Sequence, residues 1–468
     1  MGIVRESAND VDFSLRLYRP DGESKPEPLK NAEGATELAD FVIALEIIES
    51  INASSIRASI TIQDSAGLIN RLKGGELWQL VFKTGNIDAG YNFYGYNIHS
   101  RSRSGNSEVY IVECVNGEFL SNEVSNVFGS SKQLFKKKNK AKDIITSLLK
   151  DNIGVKKNLH VEDSDNTHEF VATNWRVFDT IHWIAQRSIR PGTSDSPQNG
   201  YLFWETRMGF HFKSIDKMIA DIKDQEYDIA TNPKKGTARL YKYTYQPKKT
   251  EDEGNDNYRI DSISFPEDRN YLLALRNGSF AGFSTAFDPN SFANSELDPN
   301  TFSPVVYTFD KKTVGDGNPK VIDFWNKMEH LGGGDNPVNQ FSKNIKKLVN
   351  FPRRIRYGVM ANRVFDDKSN TKDKKQYSQL AYMQAYQHLR KQTLQNVQLL
   401  VKLPGNLDLY PGFGLVVDIP NTKPSDDIIK KDRKYSGKYA IAAVRHIFDG
   451  KTLVTECLLY RDSFKKDK

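Results

Sequence analysis

The chain has 468 residues, which is enough for two to four domains at roughly 100–200 residues each. Its formal net charge is +7 and its pI is about 8.9, a mild basic excess that permits contact with acidic partners or nucleic acid without indicating either. Aromatic residues make up 11% of the chain, too many for a disordered protein, while 27% charged residues and a mean hydropathy of −0.59 indicate a very polar surface.

The sequence gives no signal for export or for a membrane anchor. Residues 1–13 lack the apolar core of a signal peptide, and no run approaches the ~18 apolar residues of a membrane span. The two cysteines, Cys114 and Cys457, lie in apolar runs far apart in the chain, so we expect buried thiols and no disulfide framework. We therefore expect a protein that is made and folded in a cytoplasm.

The first part of the chain alternates apolar and polar side chains with the period of two that is typical of antiparallel β-strands. We predict strands in five segments, which are residues 41–47, 56–63, 77–83, 94–98 and 109–115. Glycines suited to turns separate these segments. Several short strands at this spacing predict a sandwich or barrel-like module.

The middle of the chain changes to the spacing of amphipathic helices. Apolar residues follow the i, i+3, i+4 rule from Ala141 to Leu149, and a second helix over residues 175–185 is predicted to begin with Asn174 as its N-cap. Strands at Tyr201–Thr206 and Phe210–Lys213 should form a hairpin that turns at Met208-Gly209.

After a charged loop at residues 247–256, the pattern returns to strands. We predict strands at Tyr258–Phe265 and Tyr271–Leu275, an irregular insertion over residues ~286–345, and a third helix around Tyr382–Leu389. Four further strands are predicted at residues 397–403, 414–419, 439–448 and 453–460, the last two joined by a hairpin turn at Asp449-Gly450. No repeat of about 20–50 residues is visible, so we do not expect a solenoid.

No group of residues has the spacing of a metal site. The eight histidines are scattered, and none pairs with a cysteine or another histidine at ligand spacing: His99, His160, His168, His182, His211, His330, His388 and His446. Residues Asp163–Thr167 begin like a calcium loop, but His168 stands where glycine is required and Asn174 where glutamate is required. We therefore predict no metal and no cofactor.

Motifs for nucleotide binding and hydrolysis are also missing from the sequence. Gly412-Phe413-Gly414 precedes a β run and indicates a turn, and Gly332–Gly334 indicates a flexible loop more than a phosphate site. The chain has 59 acidic residues, so the sequence alone cannot select the carboxylate pair of a glycosidase. We predict no catalytic residue and a protein that is not an enzyme.

Two segments have compositions that also occur in nucleic-acid binders. Residues Lys132–Lys142 form a basic run, which indicates either a contact with phosphate or an acidic partner, or a solvated approach to a helix. Residues Tyr241–Tyr245 interleave tyrosines with a lysine, a pattern of single-strand binders that also fits a half-buried strand. We favour the solvated approach and the strand.

The order of these segments resembles a known family. The C-terminal part, "NVQLLVKLPGNLDLYPGFGLVVDIP" followed by "SGKYAIAAVRHIFDGKTLVTECLLYRDSF", resembles the closing module of the central baseplate hub proteins of contractile-tailed (T-even-like) phages. Three short motifs carry this resemblance: Pro404-Gly405-Asn406, Pro411-Gly412 and Arg461-Asp462-Ser463. The segment "TNWRVFDTIHWIAQRS" before "YLFWETRMGFHFKSID" is similar to the family's helix-then-hairpin unit, and the first ~130 residues resemble its first tube module.

The resemblance implies an α+β, mainly β fold with two tube-like antiparallel β modules, a mixed helical middle region and an irregular insertion. The expected domains are residues 1–118 (first tube-like β domain), 119–250 (mixed connecting domain), 251–290 with 375–468 (second tube-like β domain) and 291–374 (insertion, partly irregular). The insertion departs from the smaller hubs of the family.

The resemblance further implies a structural, non-enzymatic baseplate hub. In such hubs a homotrimer forms a ring that joins the hexameric tail tube to the trimeric spike and surrounds the DNA channel. The expected partners are the spike protein, the tail tube protein and baseplate wedge or tape-measure components, with DNA only in transit. The expected location is the virion tail baseplate, assembled in the host cytoplasm.

Three alternatives remain open from the sequence. A baseplate-associated peptidoglycan hydrolase would carry a further catalytic module, and a hub-type spike protein of a related injection system would continue into a β-helix; neither is visible in the sequence. A nucleic-acid binder would rest on the Lys132–Lys142 run and would lose affinity steeply with salt.

Overall fold

The computed structural model describes residues 9–19, 27–29, 36–85, 87–128, 134–135, 139–168, 170–193, 197–226, 237–245, 257–266, 271–287, 305–307, 321–349, 355–359, 375–421 and 431–464. Within these ranges the protein is mainly β, with largely antiparallel sheets and several helices. The predicted α+β, mainly β fold class is therefore confirmed.

The front of the chain forms a first β module around one apolar core. Its described strands are β1 (Asp12–Arg19), β2 (Glu27–Pro28), β3 (Val42–Ser50), β4 (Arg57–Asp64), β5 (Leu77–Thr84), β6 (Ile87–Ser104) and β7 (Ser107–Val115). Alternate residues such as Leu45, Ile60 and Val112 are buried in the core, while their neighbours face outward, as the period of two predicts.

The rear of the chain forms a second β module with its own core. Its described strands are β15 (Tyr241–Thr244), β16 (Ser262–Ser264), β20 (Val397–Pro404), β21 (Gly414–Asp418), β22 (Gly437–Phe448) and β23 (Leu453–Arg461). Tyr243, Val401 and Leu459 are among its fully buried side chains. The predicted Asp449-Gly450 turn joins β22 and β23, and Asp449 Oδ1 accepts the Thr452 N–H at 2.7 Å.

The two modules repeat one strand order. In the first the sheet runs β3-β4-β7-β6-β5-β1, and in the second it runs β16-β20-β23-β22-β21-β15, with the strands in the same order along the chain. In each module one long strand changes partner midway: β6 pairs with β5 and then with β7, as β22 pairs with β21 and then with β23. One difference is that β15 runs parallel to β21, whereas β1 is antiparallel to β5.

The segment between the modules is mixed, as predicted. Its described elements are α1 (Gly117–Val124), β8 (Asn126–Phe128), β9 (Leu134–Phe135), α2 (Ala141–Ser147, continued by a π-helical turn over Leu148–Ile153), β10 (Leu159–Val161), β11 (Phe170–Val171), β12 (Thr173–Arg176), α3 (Val177–Ala185), β13 (Tyr201–Thr206), β14 (Gly209–Ser214) and α4 (Ile215–Asp224). The predicted hairpin is confirmed as the β13–β14 pair. A separate core of apolar side chains, including Ile145, Ile181 and Phe212, holds these elements together.

A further group of elements follows β16 and precedes β20. It contains α5 (Tyr271–Asn277), β17 (Gly282–Phe287), β18 (Val305–Tyr307), α6 (Val321–Lys327), a 3-10 helix (Pro337–Gln340), α7 (Lys343–Leu348), β19 (Ile355–Val359) and α8 (Lys375–Leu394). Strand β17 pairs with β18 and β19 in a small sheet of its own. The segment predicted as irregular thus contains regular elements, and the predicted third helix lies within α8.

Three local predictions were wrong. Tyr271–Leu275 is helical in α5, because a short apolar run does not distinguish a strand from a helix. Asn174 is not the N-cap of α3: it lies at a bulge in β12 with φ of 61°, and α3 begins two residues after Trp175. The Phe178 N–H is accepted instead by Asn122 Oδ1 at 2.8 Å, a partner from a distant part of the sequence.

The third wrong prediction concerns Gly332–Gly334. The triplet is docked and not a flexible loop, since the N–H groups of Gly332 and Gly334 both donate to Ser463 Oγ at 3.1 Å. This partner lies more than a hundred residues away, so no local pattern could reveal it.

Candidate assembly surface

The two modules join through one antiparallel ladder between β3 and β22. Leu45–Ser50 pair with Phe448–Ala443, which makes the sheets of both modules continuous. Ile47 and Val444, which lie at this junction, are each 0% exposed. Each strand covers the open edge of the other, and the side chains along that edge become part of the two cores.

The repeated strand order identifies the residues that correspond to this junction elsewhere. Val444 is linked through its cross-strand partners Cys457 and Val401 to Ile263 in β16. Ile98 is linked in the same way through Val112 and Ile60 to Leu45 in β3. Ile98 therefore corresponds to Val444, and Phe265, two residues beyond Ile263, corresponds to Ile47.

These two corresponding residues are exposed. Ile98 is 39% exposed and Phe265 is 44% exposed. In the described part of the chain, no strand pairs with β6 on its outer side beyond Tyr94, nor with β16 on the side away from β20. Unpaired edges with apolar side chains are sites where another chain can add a strand.

Even the connection into each edge strand is repeated. The Leu38 N–H donates to Leu15 O in β1 at 2.9 Å, just before β3. The Ile260 N–H donates to Thr244 O in β15 at 3.0 Å, just before β16. The entry into β16 is thus built like the entry into β3, which supports treating the two edges as equivalent.

The outward face of the continuous sheet carries a polar row that crosses both modules. Lys402 lies opposite Glu456, and Glu456 lies opposite Arg445. Arg445 forms an ion pair with Glu456 at 3.2 Å and a second one with Glu46 of the first module. Farther along the row, Glu113 Oε1 accepts the Ser59 hydroxyl at 3.2 Å and contacts His99 Nε2 at 3.1 Å.

The turn of the β13–β14 hairpin lies between the two modules. Trp204 Nε1 donates to Pro411 O of the second module at 3.1 Å, and the Ile56 N–H of the first module donates to Glu205 Oε2 at 3.1 Å. Glu205 also forms an ion pair with Lys157 at 2.6 Å and accepts a hydrogen bond from Asn116 Nδ2. The hairpin therefore contacts both modules on either side of the β3–β22 ladder.

Arg207 at the hairpin turn extends this contact. Its N–H donates to Glu49 Oε2 of β3 at 3.4 Å, while its guanidinium donates to Leu407 O at 3.2 Å and to the Tyr410 hydroxyl. Asp408 accepts hydrogen bonds from Tyr410 at 3.2 Å and from Tyr241 at 2.7 Å. One arginine thus connects the last part of β3 to the loop before β21.

Burial shifts the pKa values of the ionisable side chains at this contact. It raises the pKa of Glu49 to about 8 and the pKa of Glu205 to about 7, although Arg207 and Lys157 respectively oppose these shifts. His446, which lies beside this group in β22, is fully buried, and burial lowers its pKa to about 3. Stacking of His211 on His160, with ring centroids 4.7 Å apart, accompanies a burial-driven fall in the pKa of both.

A second buried ionic cluster joins the helical elements to the end of β23. Arg390 of α8 contacts Asp216 of α4 at 3.0 Å and Asp462 at 3.2 Å, and all three side chains are fully buried. His330 Nδ1 lies 2.8 Å from Asp462, and the Tyr386 hydroxyl donates to Asp216 at 2.7 Å. Burial alone would raise the pKa of Asp462, but His330 and Arg390 outweigh it, so the pKa is lowered.

The cysteines, tyrosines and glycine that the sequence offered as candidate site residues contribute to the β modules. Cys114 and Cys457 are buried in β7 and β23, where burial raises the pKa of both thiols. Tyr241 and Tyr243 are buried on one face of β15, which confirms the strand interpretation. Gly412, with φ of 86°, forms the predicted turn, and its N–H donates to Ile441 O at 2.8 Å.

The calcium-like segment takes part in hydrogen bonds to backbone N–H groups. Asp163 Oδ1 accepts the backbone N–H groups of Ser164 and Lys142, and Asp165 Oδ2 accepts that of Gly192. The described ranges contain no group of three or more His, Cys, Asp or Glu side chains arranged to hold a metal. Residues 132–133 and 136–138 of the Lys132–Lys142 run and the whole 247–256 loop lie outside the described residues.

Sequence reasoning did not find the β6 and β16 edges or the two buried ionic clusters. The local spacing of the histidines does not reveal that His160 and His211 meet across the β10–β14 pair. The exposed apolar positions Ile98 and Phe265 gave no separate signal, because a strand at a free edge has the same alternation as any half-buried strand.

The similarity of the chain to known proteins is a similarity of fold. No family model matches the sequence, and no curated protein matches it. The solved structures to which the chain is similar include phage tail and baseplate proteins and a component of a type VI secretion system.

Three of these neighbours illustrate the class. The chain is similar to a tail protein of Neisseria meningitidis (11% identity, TM-score 0.48, covering 96% of this chain and 97% of that one). It is similar to the 43 kDa tail protein of prophage MuSo2 from Shewanella oneidensis (8% identity, TM-score 0.49, 96% and 99% covered). It is also similar to an Escherichia coli component of the type VI secretion system (10% identity, TM-score 0.40, 91% and 76% covered).

Among the described residues, no helix is both long and apolar enough to cross a membrane.

Proposed function

We propose that this chain is a structural, non-enzymatic baseplate hub of a contractile phage-type tail. In this role a homotrimer forms a ring that joins the hexameric tail tube to the trimeric spike and surrounds the DNA channel. The observation that carries the proposal is the repeated strand order of the two β modules, joined edge to edge by β3 and β22.

The repeat offers a physical solution to a symmetry mismatch. Three chains with two similar modules each present six similar units in a ring, so a threefold body can meet a sixfold tube on one side and a threefold spike on the other. A closed ring also removes the free sheet edges that would otherwise promote aggregation.

The internal junction serves as a template for the contact between subunits. The outer edge of β6 in one chain pairs with β16 of the next chain, as β22 pairs with β3 within the chain. Ile98 and Phe265 are then buried between subunits, as Val444 and Ile47 are buried within the chain. Burial of apolar side chains contributes about 25 cal/mol per Å² of apolar surface removed from water, and this favours the closed ring.

In this arrangement the outward face of the continuous sheet lines the channel. Its charged row is internally paired, which suits a surface past which DNA moves without being held. The spike protein, the tail tube protein and baseplate wedge or tape-measure components are the proposed partners. The protein acts in the virion tail baseplate after assembly in the host cytoplasm. Its proposed domains are residues 1–118, 119–250, 251–290 with 375–468, and 291–374, except that β15 pairs with the second module and β17 with the strands of the insertion.

The first experiment measures the mass and shape of the assembly. Light scattering of the purified chain should give about three times the chain mass of 53.2 kDa, and a larger mass when the spike partner is added and binds. Electron micrographs should show rings with an axial hole. A monomer under all conditions, including with the spike protein, contradicts the proposed hub.

The second experiment tests the edge contact. The separate substitutions Ile98→Asp and Phe265→Asp place a charge where apolar burial between subunits is expected, so each should shift the mass from trimer to monomer. Leu400→Asp is the matched control, because Leu400 is a similarly exposed apolar residue that lies on the sheet face and not on a free edge. Thermal unfolding of each variant separates loss of assembly from loss of fold. Trimers that persist in both edge variants rule out this closing contact.

A further inference from the structure

A cavity lies outside the sheet junction, between α5, the 3-10 helix, the end of α8 and the start of β20. Its volume is about 290 Å³. This is close to the lower end of the range for ligand pockets, about 300–1,000 Å³, and corresponds to a small ligand. The cavity also lies between the second β module and the group of elements from α5 to α8, and ligand pockets often occur between two such packed units.

The lining of this cavity is rich in side-chain amides. Six amides line it, from α5, the 3-10 helix, α8, β20 and the connection between the last two: Asn277, Gln340, Gln392, Gln395, Asn396 and Gln398. Each uncharged amide offers one acceptor and two donor hydrogens. None of the lining residues is acidic, and the one cation among them, Lys434, lies 4.8 Å from the ring centroid of Phe464. The lining therefore favours a neutral ligand whose groups both donate and accept hydrogen bonds.

Aromatic rings form another part of the lining, beside a few small or aliphatic residues. The centroids of Tyr271 and Phe341 are 6.1 Å apart, and those of Phe280 and Phe341 are 5.7 Å apart with the rings nearly perpendicular. Tyr271 is 38% exposed at the edge of the cavity. Ring faces of this kind pack against apolar C–H groups while the neighbouring amides bind polar atoms.

Several of the amides are held by contacts within the protein. Asn396 Nδ2 donates to Asp462 O at 2.9 Å, and Gln398 Nε2 donates to Gln395 O at 3.3 Å. Gln392 Oε1 accepts the Ser279 hydroxyl at 3.5 Å. These contacts fix the orientation of the lining, and a pre-organised site loses less entropy when a ligand binds.

We propose that this cavity binds one neutral pyranose unit of a glycan, such as a hexose or an N-acetylhexosamine. The hydroxyl groups of a pyranose point outward around its ring, and amides that converge from several elements can meet them on several sides. An extended peptide directs its hydrogen bonds to two opposite sides and fits the amides less well. The apolar C–H face of the sugar packs on the aromatic rings. This site does not depend on the proposed role as a hub.

The test is saturation-transfer NMR on the purified full chain with glucose, galactose, N-acetylglucosamine, maltotriose and chitotriose. At least one of these saccharides should give a signal and saturable binding. Gln395→Leu, Gln340→Leu and Tyr271→Ala should each weaken binding about three- to tenfold, the contribution of one neutral hydrogen bond or one ring contact. Gln63→Leu, which removes an exposed amide on β4, should leave binding unchanged.

Three results would overturn the proposal. These are no binding of any saccharide at tens of millimolar, binding that the three cavity substitutions leave unchanged, and binding of a short neutral peptide such as Gly-Ser-Gly amide in place of the sugars. Far-UV circular dichroism of each variant excludes misfolding, and the two glutamine variants provide independent evidence if one of them is unstable.

Discussion

At the scale of single residues, buried ionisable groups are concentrated where separate parts of the chain meet. Glu49 and Glu205 lie between the two β modules, and Asp216, Asp462 and Arg390 lie between the helices and β23. Burying a charge is costly unless a partner compensates it, so the loss of one partner should destabilise these contacts strongly. Burial raises the pKa values of Glu49 and Glu205, whereas ion pairing lowers the pKa of Asp462 in the second cluster.

Glu49 should make the stability of the chain fall as pH rises. Its pKa in the folded chain is about 8, against a reference value of 4.5, so between these values the folded chain keeps a proton that the unfolded chain releases. Stability then decreases with pH, at about 1.4 kcal/mol per pH unit for one proton. Glu49→Gln removes this titration and should flatten the slope measured by urea unfolding between pH 5.5 and 7.5 at fixed protein concentration. An unchanged slope, equal to that of the surface control Glu123→Gln, would show that Glu49 does not hold the proton.

Asp462→Asn should be strongly destabilising. The substitution leaves Arg390 buried with one carboxylate partner fewer and also removes the charge beside His330. Loss of one partner from a buried ion pair typically costs about 3–5 kcal/mol. Arg176→Gln is the control, since the ion pairs of Arg176 with Glu123 and Asp179 lie on the surface and contribute about 1 kcal/mol or less. Urea unfolding measures both, and equal effects would contradict a structural role of the buried cluster.

At the scale of elements, the segment from α6 to α7 is attached to the second module by close backbone contacts. Gly332 packs so closely on Ser463 that a Cβ at this position would overlap the Ser463 carbonyl. Leu331 N–H donates to Asp462 at 3.0 Å, and residues Asp335 and Phe464 pair as an isolated bridge. This segment is therefore held by the same few residues that close the C-terminal strand.

Gly332→Ala should release this segment without unfolding the sheets. The added methyl group separates Gly332 from Ser463, and limited proteolysis should then cut within residues 321–349 several times faster than in the original chain. Gly90→Ala is the control, because its nearest neighbour, Leu80 O, lies 4.0 Å from an added Cβ. Equal cleavage of the two variants would mean that the close contact does not hold the segment.

The elements also show how far sequence reasoning reaches. Strands such as β3, β4 and β23 are recognisable because one face is buried and the period of two survives in the sequence. Features that depend on distant partners are not: Asn122 caps α3 from another element, and Ser463 binds Gly332. The repeated strand order was also hidden, because equivalent positions such as Ile47 and Phe265 share only an apolar character.

At the scale of the whole molecule, the charges on the proposed channel face are balanced in pairs. Arg445 is shared between Glu46 of one module and Glu456 of the other. An unpaired arginine row would attract phosphate groups and hold DNA, whereas paired charges give little net attraction. The surface is therefore suited to passage rather than to binding.

The double substitution Glu46→Lys with Glu456→Lys should create DNA affinity. It leaves Arg445 without its acidic partners, and binding to duplex DNA should appear and weaken steeply with salt. Glu123→Lys with Asp179→Lys is the control, since it makes the same change in net charge around Arg176 on another part of the surface. Fluorescence anisotropy at several salt concentrations measures both. Equal DNA binding by the two variants would show that net charge alone matters.

The ladder between β3 and β22 can form only late in synthesis, because the two strands are far apart in the chain. Ser50 and Ala442, which meet at its end, are 392 positions apart. At about 5–20 residues per second, a ribosome adds this length in roughly 20–80 s, and during that time β3 is made but lacks its neighbour. A nascent chain with such an unsatisfied edge is a natural client for a chaperone. A premature stop codon before Gly437 would remove β22 altogether. The resulting fragment would keep the unpaired edge of β3 and should accumulate as aggregate.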